Sequence, residues 1–207
     1  MIQITEYLST KIAKPSIIRA TDETIKQIVK DELDRLGYDA DLNHIDVSEV
    51  TSMDSLFSCY DGDLGPKYKD LNPEISKWNV SNVQIMNYMF YECNKFDQDL
   101  SQWNVSKVKD MAYVFEYCKN FNQDISEWDV RNVIDMSGMF WGCENFNQDL
   151  SKWNVSNVES MNAMFRNCEK FNQDLSSWDV QKVLHSKRVL MFKDCPIREV
   201  FKPKFNI

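Results

Sequence analysis

The spacing of the tryptophans constrains what this 207-residue chain can fold into more than any other feature. Five of the six stand 25 residues apart: Trp78, Trp103, Trp128, Trp153 and Trp178. The sequence around each is nearly the same, so that residues 96–120 and 121–145 repeat one another closely. A fixed period of roughly 20 to 50 residues is typical of stacked supersecondary units, because one unit cannot bury its apolar side alone. The period therefore predicts a repeat architecture.

Two spacing patterns alternate inside each repeat. The first, L-x-x-W-x-V, is typical of a short strand with one apolar side, as in Leu100, Trp103 and Val105. The second advances by three, three, one and three residues, which places its members on one face of a helix. In the same repeat they are Val108, Met111, Val114, Phe115 and Cys118. The sequence therefore predicts an α/β solenoid, a right-handed leucine-rich-repeat-like coil with one short parallel strand and one short helix per repeat.

Three regions follow from where the period begins and ends. Residues 1–43 precede it and are predicted to form an N-terminal helical cap over the exposed end of the solenoid. Residues 44–195 form the predicted solenoid of about six repeats, of which the first is degenerate and carries a loop insertion near residues 60–75. Residues 196–207 form a basic C-terminal tail.

The cap is predicted to contain two helices. A short one covers residues 4–12 and ends before Pro15, and a longer one has Thr21 as its N-cap and ends at Gly37. The longer helix is expected to pack its apolar side on Ile45, Val47 and Met53. That side consists of Ile25, Ile28, Val29, Leu33 and Leu36. The alternative is a separate amphipathic helix that binds a partner.

The generalised repeat, FNQDLSxWDVSxVxxMxxMFxxC, resembles the tandem repeat of BspA-type bacterial surface proteins and of mycoplasma lipoprotein-type repeat proteins. The resemblance covers about residues 45–195 and rests on five near-identical copies. It implies a leucine-rich-repeat-like solenoid and a role in adhesion or protein binding.

Residue types that carry chemistry recur once per repeat, in columns of equivalent positions. One apolar column holds Cys93, Cys118, Cys143 and Cys168. Without C-x-x-C spacing we expect free, buried thiols rather than a zinc site. A second column holds Asp99, Asp124, Asp149 and Asp174. A calcium-collecting ladder would need glycines that the repeat lacks, so we expect these carboxylates to form turns. His44 and His185 lie at opposite ends of the repeats, and neither has a repeat-derived partner that would make a Ser–His or Cys–His pair, so we predict no catalytic residue, no metal and no cofactor.

The predicted binding surface is the concave face of the sheet. Its residues stand just before, just after and three after each tryptophan. The first two columns are Lys77, Gln102, Glu127, Lys152, Ser177 and Asn79, Asn104, Asp129, Asn154, Asp179. The third contains Ser81, Ser106, Arg131, Ser156 and Gln181. A polar, varied surface suits a protein partner or a polar glycan, although a plain solvated face has the same composition. Trp141 lies outside the period and is predicted to be an exposed hot spot, or to pack against the turn at Tyr117.

Charge and composition restrict the partners. The net charge is −8, and an acidic chain repels nucleic acid, so no nucleic-acid partner is expected. No apolar run approaches the length of a membrane span, so no membrane insertion is expected, and we predict a monomer. The N-terminal sequence lacks the pattern of a signal peptide, which predicts a cytoplasmic location. The family resemblance implies the cell surface as the alternative.

Three functions are open at this point. The first is a non-catalytic scaffold that binds another protein through the concave sheet. The second is an adhesin on a cell or virion surface, which would bind host protein or glycan. The third is a metal-dependent or redox-dependent enzyme, for which the sequence offers the least support.

Overall fold

The computed structural model describes residues 16–60 and 64–205. Its regular elements come early: strand β1 (Ile18–Arg19), helix α1 (Ile25–Leu36) and strand β2 (Ile45–Asp46). The two strands pair in parallel, with Ile18 opposite Ile45. Three short 3₁₀ segments follow, at Pro66–Tyr68, His185–Lys187 and Glu199–Phe201.

The predicted leucine-rich-repeat-like α/β solenoid is wrong. Within residues 16–60 and 64–205, α1 is the one α-helix and β1 and β2 are the two strands, and all three precede the first tryptophan of the period. Neither a strand nor an α-helix recurs with the repeat, so the predicted concave sheet is wrong too. The repeats instead consist of hydrogen-bonded turns, and isolated parallel β-bridges join neighbouring repeats. These bridges are Ser52–Ile85, Ile85–Asp110, Asp110–Asp135 and Asp135–Ser160.

The backbone hydrogen bonds explain why the predicted helices are absent. An α-helix requires each N–H to donate to the carbonyl four residues earlier. Here the N–H groups of Met111 and Phe115 donate to carbonyl oxygens 24 residues later, at Asp135 and Met139, over 3.0 Å in each case. Tyr113 and Tyr117 have φ of 60° and 59°, in the left-handed region that a right-handed helix excludes. The apolar residues three apart are therefore turn positions.

The predicted strand around each tryptophan is also a pair of turns. Trp103 N–H donates to the Leu100 carbonyl at 3.0 Å, and Val108 N–H donates to the Val105 carbonyl at 2.9 Å. The five tryptophans of the period are only 3–4% exposed, so their predicted burial is confirmed. Each indole N–H donates to a carbonyl of an earlier repeat; for Trp128 the acceptor is Leu100, at 3.0 Å.

The apolar core runs without interruption from Ala20 to Ile197. Phenylalanine rings from successive repeats stack in it; the Phe90 and Phe115 centroids, for example, lie 5.5 Å apart with nearly parallel planes. The cysteines of the described residues are free, and those of the predicted column are buried as expected. Cys118 donates its thiol to the Phe90 carbonyl at 3.0 Å, and burial raises the pKa of that thiol well above its usual value.

Helix α1 matches the longer predicted cap helix except at its start. It begins at Ile25, after a turn, so Thr24 rather than Thr21 occupies the N-cap. Ile25, Val29 and Leu33 are buried in the same core as the first repeat, whereas Leu36 is 44% exposed. Asp22 does not serve the helix; its carboxylate accepts hydrogen bonds from Thr51 and from Ser52 N–H, which joins the cap to the first repeat. The helix predicted over residues 4–12 lies outside the described residues, as do residues 61–63 of the predicted loop.

Candidate functional site

The residues predicted to form the binding face lie at the surface, but they form turns. Most of them are exposed, and Ser81, Ser106, Asp129 and Ser156 are half-buried. In the column after the tryptophan, each side-chain oxygen accepts the backbone N–H two residues later, as in Asn104 with Ser106 at 3.1 Å. The other members with this bond are Asn79, Asp129, Asn154 and Asp179. These side chains therefore hold local backbone in place.

The remaining predicted residues are held by single polar contacts or are open to solvent. Lys152 pairs with Glu127 across neighbouring repeats at 2.6 Å, and Arg131 pairs with Asp129 at 2.7 Å. Both pairs are exposed, and exposed ion pairs contribute little to stability. Lys77, Gln102 and Ser177 complete the first column and are also exposed. The structure brings these residues to one surface, but not around a common pocket.

The aspartate column forms turns, as the sequence predicts. Asp124 accepts the N–H of Ser126 at 2.9 Å, and the hydrogen bonds from Ser126 lower the pKa of the Asp124 carboxyl. Asp99, Asp149 and Asp174 repeat this contact with their own serines. In the described part of the chain, no three or more His, Cys, Asp or Glu side chains are grouped so that they could hold a metal ion.

Trp141 is half-buried, which corrects the prediction that it is exposed. Its ring lies 5.7 Å from that of Tyr117, and the Arg166 guanidinium lies 4.5 Å from its centre. The contact with Tyr117 is the second of the two placements that the sequence allowed. The Trp141 Nε1 and the Arg166 Nε are buried and have no hydrogen-bond partner in the described residues. Two buried hydrogen-bond donors on this side of the molecule are therefore unpaired within the described part of the chain.

Two neighbouring repeats bring four tyrosines together beside Trp141. We call this surface the tyrosine cluster; it consists of Tyr88, Tyr91, Tyr113 and Tyr117, with Glu92 and Glu116 among them. Tyr88 and Tyr113 stack at 4.7 Å, whereas Tyr88 and Tyr91 meet edge to face at 5.7 Å and 79°. Tyr91 and Tyr117 lie 6.5 Å apart and are tilted by 49°. All four rings are half-buried, so the cluster is a partly open aromatic surface.

Two glycines of the next repeat make room for this cluster. A Cβ at Gly138 would lie 2.2 Å from the Tyr113 ring, and one at Gly142 would lie 2.5 Å from the Tyr117 ring. Both glycines have positive φ, 59° and 73°, which a side chain would strain further. Each tyrosine ring therefore brings its Cδ1–Cε1 edge into space that only a glycine leaves open. These two residues also account for two of the five glycines in the chain.

Glu116 has the most unusual environment in the cluster. It is only 5% exposed, and its carboxylate has no hydrogen bond or ion pair with any described residue. Burial raises its pKa to about 7, with a further contribution from the negative charge of Glu92 and a small opposing one from Arg166. Burial also raises the pKa of the four tyrosine hydroxyls, and the Glu116 charge adds to this in every case.

A shallow pocket of about 270 Å³ adjoins the cluster at Tyr117. Its wall includes Lys119, Gly142, Glu144 and Glu169. Lys119 and Glu144 form an ion pair at 2.8 Å there. The pocket extends the cluster toward the later repeats.

Sequence reasoning missed Glu116 as a site residue. The signal was the column that contains Tyr91, Glu116, Trp141 and Arg166, in which residue type changes at every repeat while the phenylalanine before it and the cysteine two residues after it stay constant. When one column varies between aromatic, acidic and basic residues while the core columns stay the same, packing in the core does not determine the residues of that column. Such a column indicates a surface position. The spacing alone did not tell whether that surface was buried or open.

The sequence matches the family described as "Mycoplasma protein of unknown function, DUF285" over residues 27–134 and again over residues 99–197. The chain belongs to this family. No curated protein and no solved structure matches this DUF285 chain. Among its described residues there is no helix with the length and apolar character that crossing a membrane requires. The family description gives no activity, so the site has to be interpreted from its own chemistry.

Proposed function

We propose that this DUF285 protein is a non-catalytic binding protein, and that another protein docks on the tyrosine cluster. The observation that supports the proposal is a half-buried aromatic surface beside which two buried donors, the Trp141 indole N–H and the Arg166 Nε, have no hydrogen-bond partner in the described residues. The nearly buried Glu116 belongs to the same cluster, and its carboxylate is unpaired there as well. Native proteins leave few such groups unpaired, because each costs free energy.

The composition of the surface suits a protein partner. Tyrosine, tryptophan and arginine are the residues enriched at interfaces and at their energetic centres. They bury large areas while losing little conformational freedom. The stacking of Tyr113 on Tyr88 and its position over Gly138 hold the ring in place before a partner arrives. A pre-ordered surface reduces the entropic cost of binding.

The residues that could carry catalysis are engaged elsewhere. His44 contacts the Glu32 carboxylate at 2.8 Å, far along the chain from the cluster. The thiols of Cys93, Cys118, Cys143 and Cys168 are buried, and burial raises their pKa well above the usual value, which suppresses the reactive thiolate. These observations favour binding over chemistry.

A second candidate is an adhesin displayed on a cell surface that uses the same cluster. Membership of a mycoplasma family, together with the resemblance to BspA-type surface proteins, favours it. Protease treatment of intact cells distinguishes the two: an adhesin is degraded, whereas an intracellular binding protein is protected until the cells are lysed.

The test compares capture by two variants, one at each candidate face. Tyr91→Ala with Tyr117→Ala removes two rings of the cluster, whereas Glu127→Ala, Asp129→Ala and Arg131→Ala together remove the originally predicted face. Purified protein is coupled to beads, and partners are identified from cells of the source organism by mass spectrometry. We expect the tyrosine double variant to lose the specific partner and the triple variant to retain it. The reverse pattern would return the binding site to the predicted face, and circular dichroism checks that both variants are folded.

A further inference from the structure

Glu116 is a buried carboxyl that lacks the partner its burial demands. Glu116 is only 5% exposed, and no described lysine, arginine or histidine forms an ion pair with it; its carboxylate oxygens are not among the fully buried unpaired atoms, so they reach the surface of the cluster. A buried carboxylate is costly unless it is paired and hydrogen-bonded. Arg166 does not serve, because its guanidinium stacks on Trp141 at 4.5 Å and forms no ion pair with Glu116. The missing partner is a positive charge.

The rings around this carboxyl are arranged to receive such a charge. Tyr88 and Tyr91 are nearly perpendicular, at 79°, and Tyr91 and Tyr117 are inclined by 49°, so the rings of the cluster present faces in different orientations. The faces of aromatic rings are electron-rich and attract organic cations, and several faces together form the cage that binds ammonium groups. Tyr60 meets Tyr91 edge to face at 5.6 Å and extends the wall on the side of the first repeat.

We propose that Glu116 and the four rings of the tyrosine cluster bind an organic cation, the ammonium or guanidinium group of a lysine or arginine side chain presented by the docking protein. This inference rests on the proposed function and names the chemistry of the partner. The cation would lie against the ring faces and form an ion pair with the carboxylate. Glu92, half-buried in the neighbouring repeat, adds a second negative charge.

Other ligand classes fit this site less well. Two carboxylates without further ligands fall short of the six or more oxygens that calcium takes. Glu92 and Glu116, the two negative charges of the cluster, would repel an anion. A purely apolar ligand would leave the Glu116 carboxylate buried and unpaired. The cation alone satisfies both the rings and the carboxylate.

The binding should depend on pH, since only ionised Glu116 forms the ion pair. The groups that face it are Tyr113 and Tyr117 from its own repeat, Tyr88, Tyr91 and Glu92 from the preceding one, and the more distant Arg166. The tyrosines stay neutral because burial raises their pKa further above the physiological range. Because the pKa of free Glu116 is about 7, affinity for the cation should rise between pH 6 and pH 8 and binding should release a proton.

The experiment titrates the folded full-length protein with butylammonium chloride and with a short peptide that contains one central lysine. Binding is followed by the NMR signals of the tyrosine rings at pH 8 and constant ionic strength. The matched peptide with acetyl-lysine has the same shape without the charge. We expect both cations to shift the ring signals of the cluster, and the acetylated peptide to shift none of them. An equal response to the acetylated peptide would overturn the proposal.

Glu116→Gln keeps the shape of the side chain and removes its charge, and we expect it to weaken cation binding about tenfold. Glu127→Gln makes the same change at an exposed carboxyl of the originally predicted face and should bind like wild type. Unchanged affinity in Glu116→Gln would refute the role of the carboxyl, and circular dichroism and the unperturbed ring signals report whether that variant is folded.

The two cations separate the possible sources of the ligand, and the capture experiment separates the two proposals. Tighter binding of the lysine peptide than of butylammonium supports a side chain of a docking protein, whereas equal binding overturns that part and leaves a free amine as the ligand. If the tyrosine double variant loses its captured partner while Glu116→Gln retains it, the cation proposal fails and the proposed function stands. If butylammonium binds but capture is indifferent to the cluster, the proposed function fails instead.

Discussion

Two buried glutamates in this molecule have nearly the same exposure and opposite electrostatics. Glu32 of α1 is 8% exposed; it accepts a hydrogen bond from Arg35 Nε at 3.1 Å and contacts His44 Nε2 at 2.8 Å. The hydrogen bond from Arg35, assisted by His44, lowers its pKa. Glu116 is 5% exposed, has no such partner in the described residues, and has a pKa raised to about 7. Burial is common to both, so the partners make the difference.

The comparison separates a buried carboxylate whose counter-charges the chain provides from one that has no counter-charge in the described residues. At Glu32 the chain provides both the charge and its counter-charges, and the three side chains hold the cap against the loop before β2. At Glu116 the chain provides the charge and the aromatic surroundings but leaves the counter-charge out. A buried acidic residue is therefore informative about function only when its hydrogen bonds and ion pairs have been accounted for.

The strongest test is to make Glu32 resemble Glu116. His44→Leu removes one partner from a buried carboxylate, and we expect it to lower the free energy of unfolding by about 2 to 3 kcal/mol at pH 7. Urea unfolding monitored by circular dichroism measures the change. His185→Leu, the same substitution at the exposed histidine of the chain, is the control. A loss below that of the control would mean that Arg35 alone satisfies Glu32.

The second test removes the uncompensated charge at Glu116. The folded-state pKa, about 7, lies above the ordinary value of 4.5, so this group contributes most to stability below pH 4.5 and loses that contribution as pH rises through 7. Glu116→Gln lacks this dependence. We therefore expect the variant to gain about 3 kcal/mol relative to wild type between pH 4.5 and pH 8. Urea unfolding at a series of pH values measures it, and a constant difference across the series contradicts a perturbed Glu116.

The smallest expected effect comes from giving Glu116 a nearby positive charge, as Glu32 has in Arg35. Glu92→Lys replaces a neighbouring like charge by an opposite one, which should lower the Glu116 pKa by about one unit and weaken cation binding. NMR titration of the Glu116 side chain provides the pKa, with Glu92→Gln as the intermediate case. If the Glu116 pKa is the same in Glu92→Lys and Glu92→Gln, the charge at position 92 does not affect Glu116, and Glu92 contributes only by its packing.

Part of the fold was predictable, because tryptophan and phenylalanine at a fixed period have to be buried whatever the backbone does. The secondary structure was not, since residues three apart lie on one side of a helix and also at equivalent points of successive turns. The difference lies in left-handed residues such as Tyr113 and Tyr117, whose side chains give no hint of positive φ. Gly138 and Gly142, at the equivalent positions of the next repeat, were the available clue.

The candidate site was less predictable than the fold. The turn role of Asp124 follows from local chemistry, because an aspartate accepts the N–H two residues later in any such loop. Glu116 depends on which groups from other repeats approach it, and a periodic sequence does not specify the distance between columns. Trp141 shows the same limit, since its contact with Tyr117 was one of two equal alternatives.

The hydrogen bonds between adjacent repeats also bear on how a gene for such a protein changes over generations. Because the N–H of Met111 and the carbonyl of Asp135 are separated by nearly one full period, each repeat bonds to the repeats on either side of it. Misaligned recombination between two repeats in register would add or delete a complete unit and leave every bond with an equivalent acceptor. An insertion or deletion of any other length would leave these backbone N–H groups without an equivalent acceptor. Repeat number can therefore drift while the backbone pattern persists, whereas a surface built across two repeats, such as the tyrosine cluster, would be copied only if both repeats were duplicated together.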